Sequence, residues 1–144
     1  MIEQDTVRLL RECDAGAKMG VSSIDDVMEY VRDGEFRRIL MEGKQDHEKL
    51  TEDIREMLNR YGDEGKEPAA IAKGMSWIKT NVKLAVNESD ETVADLMIDG
   101  CDMGVKSLSK YLNKYKAADE ASKTAAKRLI DLEERMAKDI RSYL

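Results

Sequence analysis

The chain has 144 residues, 38 % of them charged, with nine Gly and a single Pro, which is the length of one domain and the composition of an all-α protein. Its net charge of −6, with both signs interspersed, excludes a nucleic-acid backbone as partner, because that partner needs a clustered basic face. No apolar run approaches the ~20 residues that span a bilayer, and the opening Met-Ile-Glu-Gln-Asp lacks the basic and apolar regions of a signal peptide. Two Cys far apart in such a chain read as free thiols, so the expected setting is the cytoplasm, with no membrane association.

The first predicted helix runs from about Asp5 to Arg32, with Val7, Leu10, Ala17, Val21, Ile24, Met28 and Val31 in one apolar stripe. Asp33-Gly34 breaks and recaps the chain. The second helix, about Gly34 to Tyr61, carries Phe36, Leu40, Gly43, His47, Leu50, Ile54, Met57 and Tyr61 on its stripe. The only His of the chain therefore faces the core. A linker, Gly62 to Glu67, leads to Pro68 in the first turn of a shorter third helix that runs to about Val86, with Ile71, Met75, Ile78, Val82 and Ala85 inward and Trp77 at a seam. Asn87 or Ser89 opens the fourth helix, whose stripe is Ala94, Met97 or Ile98, Cys101, Val105, Leu108, Leu112 and Tyr115. Asp119 caps the fifth, with Ala126, Leu129, Glu133, Met136, Ile140 and Tyr143 inward.

The chain repeats itself. Cys13-Asp14-Ala15-Gly16-Ala17-Lys18 returns 88 positions later as Cys101-Asp102-Met103-Gly104-Val105-Lys106. Glu48 to Arg55 is echoed by Glu134 to Arg141 at an offset of 86. Paired segments in the same order read as one helical hairpin used twice, in copies of about residues 5–61 and 89–144. The crossover of about 62–88 is long enough to cross the bundle. The expected fold is thus a single domain over 1–144, an all-α ferritin-like four-helix bundle of two antiparallel hairpins joined by a long crossover with a short extra helix.

Registering stripes and repeat together brings polar groups to one level of the core. Asp14 and Cys13 come from the first helix, His47 from the second, Asp102 and Cys101 from the fourth. The offset of 86 maps His47 onto Glu133 of the fifth. Two readings follow. In one, His47 bonds Glu133 in a layer that fixes register. In the other, Asp14, His47, Asp102 and Glu133 ligate a divalent metal (Fe, Zn or Mn), with Cys13, Cys101, Glu12 and Glu48 around them. A standard di-iron ferroxidase is not expected: that site needs Glu-x-x-His on two helices, but Lys44 precedes His47 by three and the matching positions on the fifth helix are Ile130 and Glu133. Glycines inside the helices (Gly16, Gly20, Gly43, Gly74, Gly100 and Gly104) cost roughly 1 kcal/mol each against Ala, which close helix approach explains for most, with room for a small ligand as the alternative.

The Cys13–Gly16 segment, the Gly65, Glu67 and Pro68 entry to the crossover, Trp77 in the crossover helix and the Asp99–Gly104 segment resemble a bacterial ferritin-like family of uncharacterised four-helix bundles. The resemblance implies a ferritin-like fold, a cytoplasmic setting and a stress association, and supplies no catalytic residues. The leading functional expectation is a non-enzymatic interaction or stress-associated bundle, working as a homodimer or with a protein partner and without a cofactor. Its rival is a metal-binding or redox protein built on the central polar layer. A scaffold with a small-molecule cleft beside the glycines is the third.

Overall fold

A computed structural model describes residues 2–68, 77–85 and 88–144. The expected helix start at Pro68, the inward Ile71 and Met75 and the glycine at 74 fall on or beside residues 69–76, which lie outside the described residues, as do the side chains of Trp77 and Leu84. The described chain is all-α: α1 (Ile2–Met28), α2 (Gly34–Asn59), α3 (Trp77–Leu84), α4 (Asp90–Lys114) and α5 (Glu120–Ile140), followed by a short 3₁₀ turn, Arg141–Tyr143.

Helix starts follow the capping chemistry of the sequence. The Asp33 carboxylate accepts from Phe36 N at 2.9 Å, the Ser89 hydroxyl from Thr92 N at 3.3 Å and the Asp119 carboxylate from Ser122 N at 2.8 Å, each satisfying an amide the helix cannot. Of the two candidates at the start of α4, Ser89 is the cap. The end of α1 differs from expectation, falling at Met28 rather than Arg32. Asp90 is the reason. Its carboxylate accepts from the backbone N–H of Arg32 at 2.8 Å and of Asp33 at 2.9 Å, drawing the chain out of the helix while Val31 stays buried. At the end of α2, Gly62 takes a left-handed φ of 68°, which a side chain disfavours, and Asp63 N bonds back to Leu58 O at 3.1 Å.

The strongest packing is of α1 on α2 and of α4 on α5, with α2 on α5, α1 on α5 and α1 on α4 completing the bundle, and α3 resting on α1 and α4. At one end the start of α1 meets the turn before α5: Asp119 N donates to Thr6 Oγ1 at 2.8 Å and Ala117 N to Asp5 at 3.0 Å. Tyr61, just past α2, reaches Asp119 there. At the other end Asp90, at the start of α4, holds Arg32 and Asp33, and the ring of Phe36 stacks on Tyr143 with centroids 4.5 Å apart.

Two apolar clusters fill the interior. One gathers Ile24, Val27, Phe36, Leu40, Val82, Met97 and Ile140; the other Leu9, Leu10, Leu50, Ile54, Leu58, Leu108 and Leu129. Each fully buried side chain of this size stabilises the fold by roughly 1.5–3 kcal/mol relative to exposure. His47 and Glu133 belong to neither cluster. On α2, His47 falls between Leu40 and Leu50, and on α5 Glu133 falls between Leu129 and Ile140, so the pair divides the core.

Candidate functional site

His47 is 1 % exposed and Glu133 8 %. The position of His47 on the inner stripe of α2 turns its ring inward, and the helix itself fixes its tautomer: Nδ1–H donates to Gly43 O, one turn back, at 2.6 Å. Because that carbonyl only accepts, Nδ1 must carry a proton. The other nitrogen, Nε2, lies 2.9 Å from Glu133 Oε1. A second proton therefore sits between imidazole and carboxyl, and the pair as a whole is neutral. Burial alone would lower the affinity of His47 for a proton; the hydrogen bond and negative charge of Glu133 outweigh it, and the result lies above the ordinary histidine value.

Two glycines make room here, Gly20 for this ring and Gly43 for Met136. A Cβ at Gly20 of α1 would stand 2.5 Å from His47 Nε2, and one at Gly43 would stand 2.7 Å from the sulfur of Met136. Here close approach does explain the glycines. Cys101 of α4 adds a thiol to the same neighbourhood; burial first, then the charge and hydrogen bond of Glu133, push its proton affinity up.

The other expected members lie elsewhere. Asp14 is buried, but its Oδ2 accepts from the backbone N–H of Lys66 at 3.0 Å and pairs with Lys18 Nζ at 2.8 Å. It anchors the linker, not the His47 pair. Neighbouring side chains of α1 clasp the same segment: Arg11 pairs with Asp63 at 3.0 Å, Glu12 with Lys66 at 2.5 Å and Lys18 with Glu67 at 3.2 Å. The linker closes down there through Gly65, whose φ of 92° a side chain would strain and whose Cβ would run into the Asp14 carboxylate. Asp102 and Glu48 are exposed. Cys13 is fully buried in the second apolar cluster, where burial, then Glu12 and Asp14, push its thiol up to about 12. The expected convergence of Asp14, His47, Asp102 and Glu133 thus reduces to one pair, His47 and Glu133. Among the described residues no group of three or more His, Cys, Asp or Glu side chains is arranged to hold a metal ion.

Over the pair opens a cavity of about 440 Å³, within the size range of small-molecule sites. It lies between α1 and α4, with Pro68 and Ile78 also lining it. Gly16 and Gly20 line it from α1, and Gly100 and Gly104 from α4, each pair one helical turn apart. The α4 pair behaves differently from Gly20 and Gly43. Among the described residues a Cβ at Gly100 would meet nothing within 4 Å, and one at Gly104 only the Glu133 side chain, at 3.7 Å or more. Contact with the described helices therefore requires glycine at neither. Met97, Cys101, Met103, Met136 and Met19 give the lining five sulfur atoms, and Met19 and Met103 are both exposed. The lining surface is mainly apolar, with Glu12, Asp26, His47, Glu133, Tyr111 and three serines as its polar members. Sequence reasoning located the His47–Glu133 pair and raised a small-molecule cleft beside the helix glycines as its third option, without telling which glycines border it; their signal was Gly-Cys-Asp-Met-Gly, residues 100–104, in mid-helix.

Every buried side-chain N or O atom among the described residues has a hydrogen-bond partner, so the polar layer is closed without a ligand. No helix of the described residues is long and apolar enough to cross a membrane. Comparison with family models, with curated proteins and with solved structures finds no match to this chain.

Proposed function

We propose that the chain is a non-enzymatic ligand-binding bundle, whose slot between α1 and α4 takes up a small, largely apolar molecule. One observation carries this reading: Gly100 and Gly104 sit inside a helix where, among the described residues, a Cβ would meet nothing at Gly100 and only the side chain of Glu133, at ordinary contact distance, at Gly104. A glycine in mid-helix costs roughly 1 kcal/mol against Ala, and two of them without a packing reason are consistent with a volume kept empty for a guest. The apolar, sulfur-rich lining suits such a guest, and the His47–Glu133 pair offers it one polar end.

A ferritin-like connectivity of two hairpins accords with the contacts at the bundle ends. Tyr61, after α2, reaches the turn before α5, whereas Asp90, at the start of α4, reaches the turn before α2. The crossover in this reading runs the length of the bundle and passes the slot, since Pro68 and Ile78 both line it. In this reading the protein keeps the cytoplasmic, non-enzymatic character expected from its sequence, and interacts through a cavity rather than through a broad apolar face.

The test is a titration of the parent and of Gly104→Leu with naphthylmethanol, followed by fluorescence and by thermal shift. The parent should bind and gain thermal stability with ligand. Gly104→Leu should stay folded, since Leu gains roughly 0.8–1.0 kcal/mol of helix propensity over Gly, and should lose binding because its side chain fills the slot. Absence of binding in the parent, or undiminished binding in the variant, overturns the reading.

A further inference from the structure

We propose that the slot selects a cationic aromatic amine, with its ammonium on Glu133 and its ring along the bare backbone of Gly100 and Gly104; this rests on the ligand-site reading above. Charge comes first. The charged residues that line the cavity are Glu12, Asp26 and Glu133, and among the described lining residues none is Lys or Arg. The His47–Glu133 pair is neutral as a whole, so an anion finds neither a Lys nor an Arg among the described lining residues to meet it. Glu12 is matched by Lys66 and Asp26 has an interaction of its own, so the acceptor at the floor is the carboxyl of Glu133.

Glu133 has capacity for a further donor. His47 engages Oε1 at 2.9 Å and the Cys101 thiol bonds the same carboxyl, whereas a carboxylate has about four lone-pair positions. Its carboxyl carbon lies 3.7 Å from where a Cβ on Gly104 would be, so the space directly beside it is the space that glycine leaves. A primary ammonium, with three donors and no acceptor, suits a carboxyl in that place. The ring is inferred from the walls. Glycine lets a flat group approach the helix backbone closely. The lining sulfurs, of Met97, Cys101 and Met103 on the same helix and of Met19 and Met136 on its neighbours, are polarisable, and sulfur–aromatic contacts are favourable by roughly 0.3–1.5 kcal/mol each. Met19 and Met103, exposed and yet lining the slot, place two of these sulfurs where a ligand would enter.

Three probes of one shape separate this inference from the one beneath it: naphthylmethylamine, naphthylmethanol and naphthoate, titrated calorimetrically into the parent and into Glu133→Gln. A charge-assisted bond in place of a neutral one predicts that the amine binds about tenfold more tightly than the alcohol, with naphthoate weakest. In Glu133→Gln the ratio of amine to alcohol should fall towards unity, while the amide can still bond His47. If the alcohol binds and the amine binds no better, or if naphthoate is preferred, the cation inference is wrong and the cavity reading stands. If the amine preference survives in Glu133→Gln, the assignment of the ammonium to Glu133 is wrong. If none of the three binds, both readings fall together. The ratio in the parent decides the question even should the variant fold poorly.

Discussion

Gly20 of α1 lies against the imidazole of His47, so close that a Cβ would stand 2.5 Å from Nε2 and 3.2 Å from Cγ. The ring cannot retreat, because Gly43 O holds one nitrogen and Glu133 the other. Gly20→Ala therefore sets a gain in helix propensity of roughly 1 kcal/mol against a clash with an immobilised ring. Overpacking of a well-filled core typically costs about 1–3 kcal/mol beyond such gains. We expect a net loss of stability of about 1–2 kcal/mol, read as a lower urea midpoint at unchanged slope. A neutral or stabilised Gly20→Ala would mean that the ring moves freely.

Gly100 gives the opposite expectation on the same helix chemistry. Among the described residues nothing lies within 4 Å of a Cβ there. Gly100→Ala should raise stability by roughly 0.5–1 kcal/mol, through helix propensity and a less flexible unfolded chain. The two Gly→Ala variants, compared in one chemical-denaturation series, separate a glycine required by contact from a glycine that faces empty space. A loss of stability at Gly100 would contradict the open slot.

The His47–Glu133 pair makes stability depend on pH with a definite sign. The folded-state proton affinity of His47 is raised above its ordinary value of 6.5, net of burial, by Glu133. Folding therefore favours the protonated ring, and that contribution is fully present below the unfolded value. It fades as pH rises through the higher folded value. Urea midpoints taken from about pH 6 to 9 should fall on the alkaline side, and His47→Gln should flatten this slope while lowering stability throughout, since breaking a buried pair costs roughly 3–5 kcal/mol. An unchanged slope in the variant would assign the pH dependence to other groups.

The pair was legible in the sequence because two independent patterns agreed. His47 interrupts the apolar stripe of α2 and Glu133 that of α5, and the offset of 86 between the echoed segments relates one to the other. Asp14 was legible as buried but not as to its partner. It is one residue round the helix from Cys13, at the edge of the stripe, and which segment covers an edge position depends on the linker, whose Lys66 amide no periodicity places there. Asp102, its echo on α4, is exposed. The repeat carries helix register and not the loops that lie on it. The slot was least legible of all. Glycine spacing cannot distinguish Gly20, pressed on a ring, from Gly100, facing nothing, because the difference lies in side chains of other helices.

The linker clasp supplies the last prediction. Asp14 accepts the Lys66 amide and pairs with Lys18, and three further ion pairs join α1 to residues 63–67. Those three are at least partly exposed and are each worth at most about 1 kcal/mol. The Asp14 contact is different, since its carboxylate is buried and its removal takes the acceptor from the partly buried Lys66 amide and the partner from Lys18, at a cost of roughly 1–3 kcal/mol. Asp14→Ala should therefore speed native-state proteolysis at 63–67 well beyond Arg11→Ala, although both remove one tie to the linker. Gly65→Ala should act like Asp14→Ala, because its φ of 92° and its approach to the same carboxylate both oppose a side chain. Equal cleavage rates in Asp14→Ala and Arg11→Ala would show that the exposed pairs, and not the buried carboxylate, hold the linker on α1.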